Sequence, residues 1–400
     1  MKDSPLPPAQ STKYAELVAI CVGAMLKFIA VSMSAPLIPL AALEMGASPS
    51  MMGLILGVSN IGALFCAMPT GFLIRRIGTR LPMVLSGLAM GVSCLFLYLY
   101  PTLIGLFVGL TFFGITRTVN AIAIQAHVGA LGGRGRAGMN FGWYGTAISV
   151  GQMIGPAVAG VLIDQSGTRI TWLAMAGPCV LASILLPFFI SSGRFPQEPS
   201  AKSQALIVRV RELLNPAATI GILTSFIIIF ALGSRRVFFP VYLRSLSYSA
   251  TAIGLLISIR GLVELFSRMS IGPVLRVLKG RFNAVIVCLA LLAAGIGSIS
   301  LCRSMPTLVL NIVAIGLGFG LSMPLSQATV FDSARPSDRG LAMGLRMTGN
   351  RLASLASPLV FGPAVQYLGM APAFGLGGFV VLGVAILFFI LRRRRGDFIA

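Results

Sequence analysis

Apolar residues along this chain come in long unbroken blocks rather than alternating patterns or one-sided stripes. Each block is about 20 residues or longer, enough for a helix to cross the hydrocarbon core of a bilayer. The blocks predict spans at 15–42, 49–74, 82–100, 103–128, 139–163, 170–192, 216–242, 250–272, 283–302, 306–331, 340–365 and 372–391. In lipid such segments must satisfy their own backbone, which makes them helices. A β-barrel would show short alternating segments instead. The expected fold class is therefore an all-α polytopic membrane protein with twelve transmembrane helices.

The polar intervals set the domain organisation. Residues 1–13 hold three prolines and read as a disordered cytoplasmic tail. The longest polar stretch, 193–214, carries Arg194, Lys202, Arg209 and Arg211 and divides the blocks into two sets of six. The expected bundles are 14–192 and 215–391. The RRRR run that opens the basic tail at 392–400 reads as a stop signal after the last span.

The two sets repeat each other. Pro39, Gly53, Leu54 and Gly71 match Pro240, Gly254, Leu255 and Gly272 at an offset of 201. Gln125, Ala126, Val128, Gly138, Gly142, Pro156 and Gly160 match Gln327, Ala328, Val330, Gly340, Gly344, Pro358 and Gly362 at 202. Two parallel six-helix repeats predict pseudo-symmetric bundles related by an axis along the membrane normal, with a site between them.

Composition closes off other classes. With 56% hydrophobic and 10% charged residues, the chain is not a soluble globular protein. The net charge of +21 suggests nucleic acid until its distribution is read. Of 31 Lys and Arg, 20 fall in the tails and every second loop, three in or beside the alternate loops, and eight inside the spans. That asymmetry places both termini in the cytoplasm and excludes a nucleic-acid partner. The six cysteines lack metal-ligand spacing and read as small core residues, and one histidine makes no metal site. The first apolar run is too long for the core of a cleavable signal. Without a nucleophile–base set or phosphate loop, the expectation is no enzyme, no cofactor and no metal, only secondary transport.

Span 5 contains GWYGTAISVGQMIGPAVAG, residues 142–160, a helix with a small-residue face and a proline bend. The loop after span 2 reads GFLIRRIGTR, residues 71–80. Together these resemble the major facilitator superfamily over essentially the whole chain. Gly71, Arg76, Gly78 and Arg80 fit the family's loop 2–3 pattern, Arg75 stands where an acid is expected, and Thr79 stands where a base is. The counterpart loop, 272–281, also has a base, Arg276, in the acid's place, and Asp332 and Asp338 become candidate partners for Arg75 or Arg76. Gly142, Gly151, Gly155, Pro156, Ala159 and Gly160 fill the span-5 antiporter motif. The resemblance implies an exporter of the twelve-span drug/metabolite–proton antiporter branch, a monomer in the bacterial inner membrane. Arg117 on span 4 sits at a position implicated in proton coupling.

The eight charges within the spans are Lys27, Arg117, Arg235, Arg236, Arg260, Arg268, Arg346 and Arg351. Each costs roughly 2.5–3.5 kcal/mol at a helix centre, so each needs a reason. One acid lies clearly in the same layer, Glu264, four residues from both Arg260 and Arg268. An excess of buried cations predicts an anionic substrate. The expected substrate-binding set is Lys27, Arg117, Asn120, Arg235, Arg260, Arg346, Asn350 and Arg351, with Glu264 carrying a proton and Arg117 modulating it. Gln125 and Gln327 occupy equivalent places, and His127 is the one imidazole.

The expected function is a proton-coupled exporter of an organic anion or acidic amphiphile, such as a metabolite, siderophore or antibiotic. An organic-anion exchanger or importer without proton coupling and a lipid flippase remain alternatives.

Overall fold

The computed structural model describes residues 8–131, 133–190, 215–335 and 339–395. Among them, residues 62–64, 67–68 and 75 and a few at the segment ends are described by backbone only. Twelve α-helices and one short 3-10 turn account for the described secondary structure. They are α1 (Pro8–Glu44), α2 (Pro49–Ile77), α3 (Arg80–Leu99), α4 (Leu103–Leu131), α5 (Gly133–Phe189) and α6 (Pro216–Ser245). The rest are α7 (Ala250–Met269), α8 (Ile271–Val277), α9 (Arg281–Gly297), α10 (Met305–Ser333), α11 (Arg339–Leu368) and α12 (Met370–Arg395). Eight are long and apolar enough to cross a membrane, or nine if α8 and α9, bent by 103°, are taken as one. Large apolar side chains such as Phe65, Phe188 and Phe379 stand exposed on the surface, as expected where lipid is the solvent.

Two helices differ from the spans read in the sequence. α1 starts at Pro8, inside the segment expected to be a disordered tail, because proline suits the first turn of a helix. α5 joins the expected spans 5 and 6 in one run of 57 residues, about 85 Å if straight. It is not straight. Gly151 packs on Met25 of α1, and Leu186 packs on Gly23 of the same helix. Residues 35 apart on a straight helix lie about 52 Å apart, so the run must fold back between them. The reversal is at Gly167, whose φ of 80° is left-handed and whose carbonyl accepts from the Thr171 hydroxyl (2.8 Å).

The described residues form two compact units. One comprises those within Met1–Met45, Val58–Glu198 and Ser249–Gly254. Its core includes Ile20, Ala24, Ile74, Met83, Ile124, Val128, Tyr144 and Leu186, drawn from α1 to α5. The other comprises those within Gly46–Gly57, Pro199–Tyr248 and Leu255–Ala400. There α6 packs on α10, α11 and α12, and α9 packs on α10 and α12.

The internal repeat reappears as matched contacts, each within one unit. A Cβ on Gly254 would lie 2.2 Å from the carbonyl oxygen of Pro156, and one on Gly53 would lie 2.2 Å from that of Pro358. The Asp164 carboxylate accepts from the backbone N–H groups of Ala250 (2.9 Å) and Thr251 (2.7 Å), capping α7. At the equivalent place in the other unit, Gln366 Oε1 accepts from Ser50 N–H (3.2 Å) at the start of α2. Both side chains satisfy donors that a helix start otherwise leaves free.

Candidate functional site

Four charged residues of the second unit, Arg235, Arg236, Arg260 and Glu264, lie on α6 and α7. Arg260 Nη1 lies 2.6 Å from Glu264 Oε1, one helical turn away. The contact is a charge pair without hydrogen-bond alignment, so Glu264 Oε1 still lacks a well-placed donor. Arg235 and Arg236 lie within electrostatic reach of both Arg260 and Glu264. Buried Arg235, exposed Arg236 and half-buried Arg260 thus share the field of one carboxylate. Arg235 is 5% exposed, and its Nε and Nη2 have no hydrogen-bond partner, nor does Nε of Arg260.

Aromatic faces supply part of what the acids do not. The Arg235 guanidinium lies 4.6 Å from the centroid of Phe239, and that of Arg260 lies 5.9 Å from Phe319. A cation over a ring gains about 0.5–2 kcal/mol, less than removing a charge from water costs. The cluster therefore keeps an uncompensated positive field. α7 is held against α10 at this level by Gly316 and Gly320, where a Cβ would clash with Val263 and Ser267. That small-residue spacing brings Phe319 to Arg260.

The other expected residues take separate places. Arg346, 5% exposed, donates from Nε to Ser326 Oγ (3.1 Å) and from Nη2 to Met323 O (3.3 Å). Ser326 in turn donates to Gly221 O (2.7 Å), so Arg346 helps join α11, α10 and α6. Arg351 and Asn350 are half-buried, and Asn350 Oδ1 has no partner. Arg268 is exposed, leaving Arg260 as the recorded ion-pair partner of Glu264.

In the first unit, Lys27 Nζ donates to Met83 O (3.3 Å). Asn120 Nδ2 donates to the same carbonyl (2.8 Å) and to Ser86 Oγ (2.9 Å). Lys27 is 2% exposed, so these two expected residues meet inside the bundle, on α1, α3 and α4. Arg117 is half-buried on α4 of this unit.

The conformational motifs also have definite places. Gly78 has φ 79° and opens the two-residue turn between α2 and α3. Arg80 donates to Pro187 O (2.6 Å) and Arg76 is exposed. Gly71 and Gly142 face open space, whereas Gly155 lies against Ile29 and Ser32 of α1. Asp332 is paired with Arg281 at the start of α9, in its own unit. The side chain of Arg75 and all of Asp338 lie outside the described residues. A cleft of about 510 Å³ beside Asp332 is lined by Arg281, Pro324, Gln327, Ala328 and Phe331 and contains none of the buried arginines.

Two contacts had no counterpart in the sequence reading. The Arg235–Phe239 stack is an i,i+4 pair that helix spacing could have flagged. The buried pair of Glu16 with His127 joins residues 111 apart, which no local pattern announces.

Comparison with known proteins agrees with this architecture. The Major Facilitator Superfamily model matches residues 20–301 and 223–397. Multidrug resistance protein MdtG of Citrobacter koseri is 25% identical, covering 96% of each chain. An uncharacterised MFS-type transporter of Methanocaldococcus jannaschii is 20% identical, covering 90% of this chain and 94% of its own length. Among solved structures, the nucleoside transporter NupG superposes with a TM-score of 0.82 at 12% identity, covering 94% of this chain and 99% of that one. A bacterial homologue of the lysosomal transporter Spinster, inward-facing and occupied, gives 0.75 at 13%, covering 97% and 98%. The matched segments span most of the sequence, and this chain belongs to the Major Facilitator Superfamily as a multi-pass membrane transporter.

Proposed function

We propose that this transporter exports organic anions or acidic amphiphiles across the bacterial inner membrane by proton-coupled alternating access. The observation that carries the anionic substrate is the Arg235–Arg236–Arg260 group with its single carboxylate, Glu264. An anion entering there completes an unpaired charge set, which is the state a buried arginine otherwise lacks. Export is supported by relatives named for multidrug resistance and by the filled span-5 motif. Arg351 and Asn350 are assigned to the substrate, with Lys27, Arg117, Asn120 and Arg346 acting in the same process.

Glu264 is the carboxylate assigned to the proton, because it is the acid paired with this arginine group. The same ion pair supports a second reading, exchange of one anion for another with Glu264 as the resting counter-ion. The test is uptake of carboxyfluorescein and of ethidium into inside-out vesicles, with and without a pH gradient. Carboxyfluorescein uptake that responds to the gradient and falls in Arg260→Gln supports the proposal. Uptake of ethidium alone refutes the anionic substrate. Gradient-independent counterflow that survives Glu264→Gln selects exchange.

A further inference from the structure

The one histidine of the chain is buried in the first unit and bonded on both ring nitrogens. His127 Nδ1 lies 2.6 Å from Thr79 Oγ1, and Nε2 lies 2.9 Å from Glu16 Oε1. Thr79 is fully buried, and Glu16 and His127 are 5% and 3% exposed. The three come from α1, α4 and the turn between α2 and α3.

Thr79 is the unusual member. It occupies the N-cap of α3, where a threonine hydroxyl ordinarily accepts from the next turn's N–H groups, yet it makes no such bond. Its hydroxyl is committed to the imidazole instead. It also directly follows Gly78, the left-handed residue that ends α2. The hydrogen-bond chain therefore ends on the hinge residue of the loop 2–3 motif.

From these contacts we infer that Glu16 and His127 form a buried proton-binding site whose occupancy is read by the α2–α3 turn through Thr79. The proton balance is explicit. With both ring nitrogens protonated, Nε2–H donates to the Glu16 carboxylate and Nδ1–H donates to the Thr79 oxygen. Loss of the Nδ1 proton to the aqueous side leaves the Nε2–H bond intact and makes Nδ1 an acceptor. The Thr79 hydroxyl must then turn and donate. One proton thus reverses one hydrogen bond at the hinge, and a site this enclosed exchanges its proton only when the bundle opens.

The charge paired with the imidazole is that of Glu16. On α2, Arg76 is exposed; on α3, Arg80 is turned to Pro187 O. On α5, Tyr144 lies in the apolar cluster, and Cys21 on α1 is half-buried. The site stands apart from the arginine group, and its test uses no substrate.

The test is ¹⁵N-histidine NMR of the full chain in lipid nanodiscs, where the single imidazole gives one unambiguous pair of ring-nitrogen signals. It is paired with hydrogen–deuterium exchange of the 77–83 peptide, corrected for intrinsic rates. The imidazole should change protonation state over the pH range in which the protein stays folded. Glu16→Gln should lower its proton affinity by about tenfold or more. Protection of 77–83 should change by about threefold over the same range in the wild type and in Thr79→Ser. Thr79→Val, similar in volume, should abolish that change and leave the imidazole titrating. An imidazole that keeps one state across the range, or titrates unchanged in Glu16→Gln, overturns the site. A protection change that persists in Thr79→Val overturns the coupling.

Discussion

Replacing Gly160 with alanine adds one methyl group at a point of the span-5 motif where every close neighbour is backbone. Its Cβ would stand 2.3 Å from the carbonyl oxygen of Ala250, 2.9 Å from its carbon and 2.9 Å from Thr251 Cα. A comfortable carbon–oxygen contact needs about 3.3 Å, and each neighbour is backbone, so the first turn of α7 must move by about 1 Å. Overpacking of this kind costs about 1–3 kcal/mol, and the shift also pulls the Ala250 and Thr251 N–H groups from Asp164. The repeat supplies internal controls. At Gly362 the Cβ would meet Pro49 O at 3.0 Å and Gly53 Cα at 3.2 Å, a milder conflict. At Gly142 nothing lies within 4 Å, and alanine gains up to about 1 kcal/mol in helix propensity. Thermal unfolding of the purified protein in one detergent should rank Gly160→Ala lowest, Gly362→Ala next, and Gly142→Ala at or above the wild type. Equal losses at Gly142 and Gly160 would refute the packing argument.

Arg260→Gln should destabilise by about 3–5 kcal/mol, because it strips Glu264 of its ion-pair partner; adding Glu264→Gln should restore the unfolding temperature without restoring anion transport. Lys27→Met should leave stability unchanged or raise it, since the ammonium it removes is held by a carbonyl rather than a carboxylate; a loss above about 2 kcal/mol in chemical denaturation would contradict this. Asp164→Ala should cost about 1 kcal/mol through the lost α7 cap, and Gln366→Ala less, because the uncharged amide does not complement the helix dipole. Ser326→Ala should leave Arg346 Nε and Gly221 O without their partner and lower the unfolding temperature, by about 1–3 kcal/mol in free energy.

The fold was legible because its signals are local or periodic. An apolar block long enough to span lipid needs no knowledge of neighbours, and a fixed offset near 202 exposes the duplication. The Arg260–Glu264 pair was legible for the same reason, since residues four apart share a helix face whatever surrounds them. Placement around each helix was not. Lys27 sits on a helix that is apolar on all sides, so nothing in the sequence says whether it meets a substrate or, as found, Met83 O beside Asn120. The reversal at Gly167 was expected as a loop, yet helical bonding continues almost unbroken through it. Asp332 shows the remaining difficulty. Its sign suggested the displaced basic residues of the loop after span 2, whereas the structure pairs it with Arg281, at the start of the preceding helix, a contact that no motif announced.

The short segments that each unit holds from the other half of the sequence have a consequence for biosynthesis. Gly53 sits on the Pro358 carbonyl, about 300 residues downstream. At a synthesis rate of roughly 5–20 residues per second, the start of α2 emerges some 15–60 s before the surface it packs on. For that interval the Gly53 face has lipid or insertion machinery as its neighbour. The start of α7 has no such wait, because Pro156 and Asp164 precede it. The chain can therefore finish its first unit soon after α7 emerges, whereas its second stays incomplete until α11 is inserted, and truncations before α11 should leave a first unit that is folded and a second α-helix that is not yet seated.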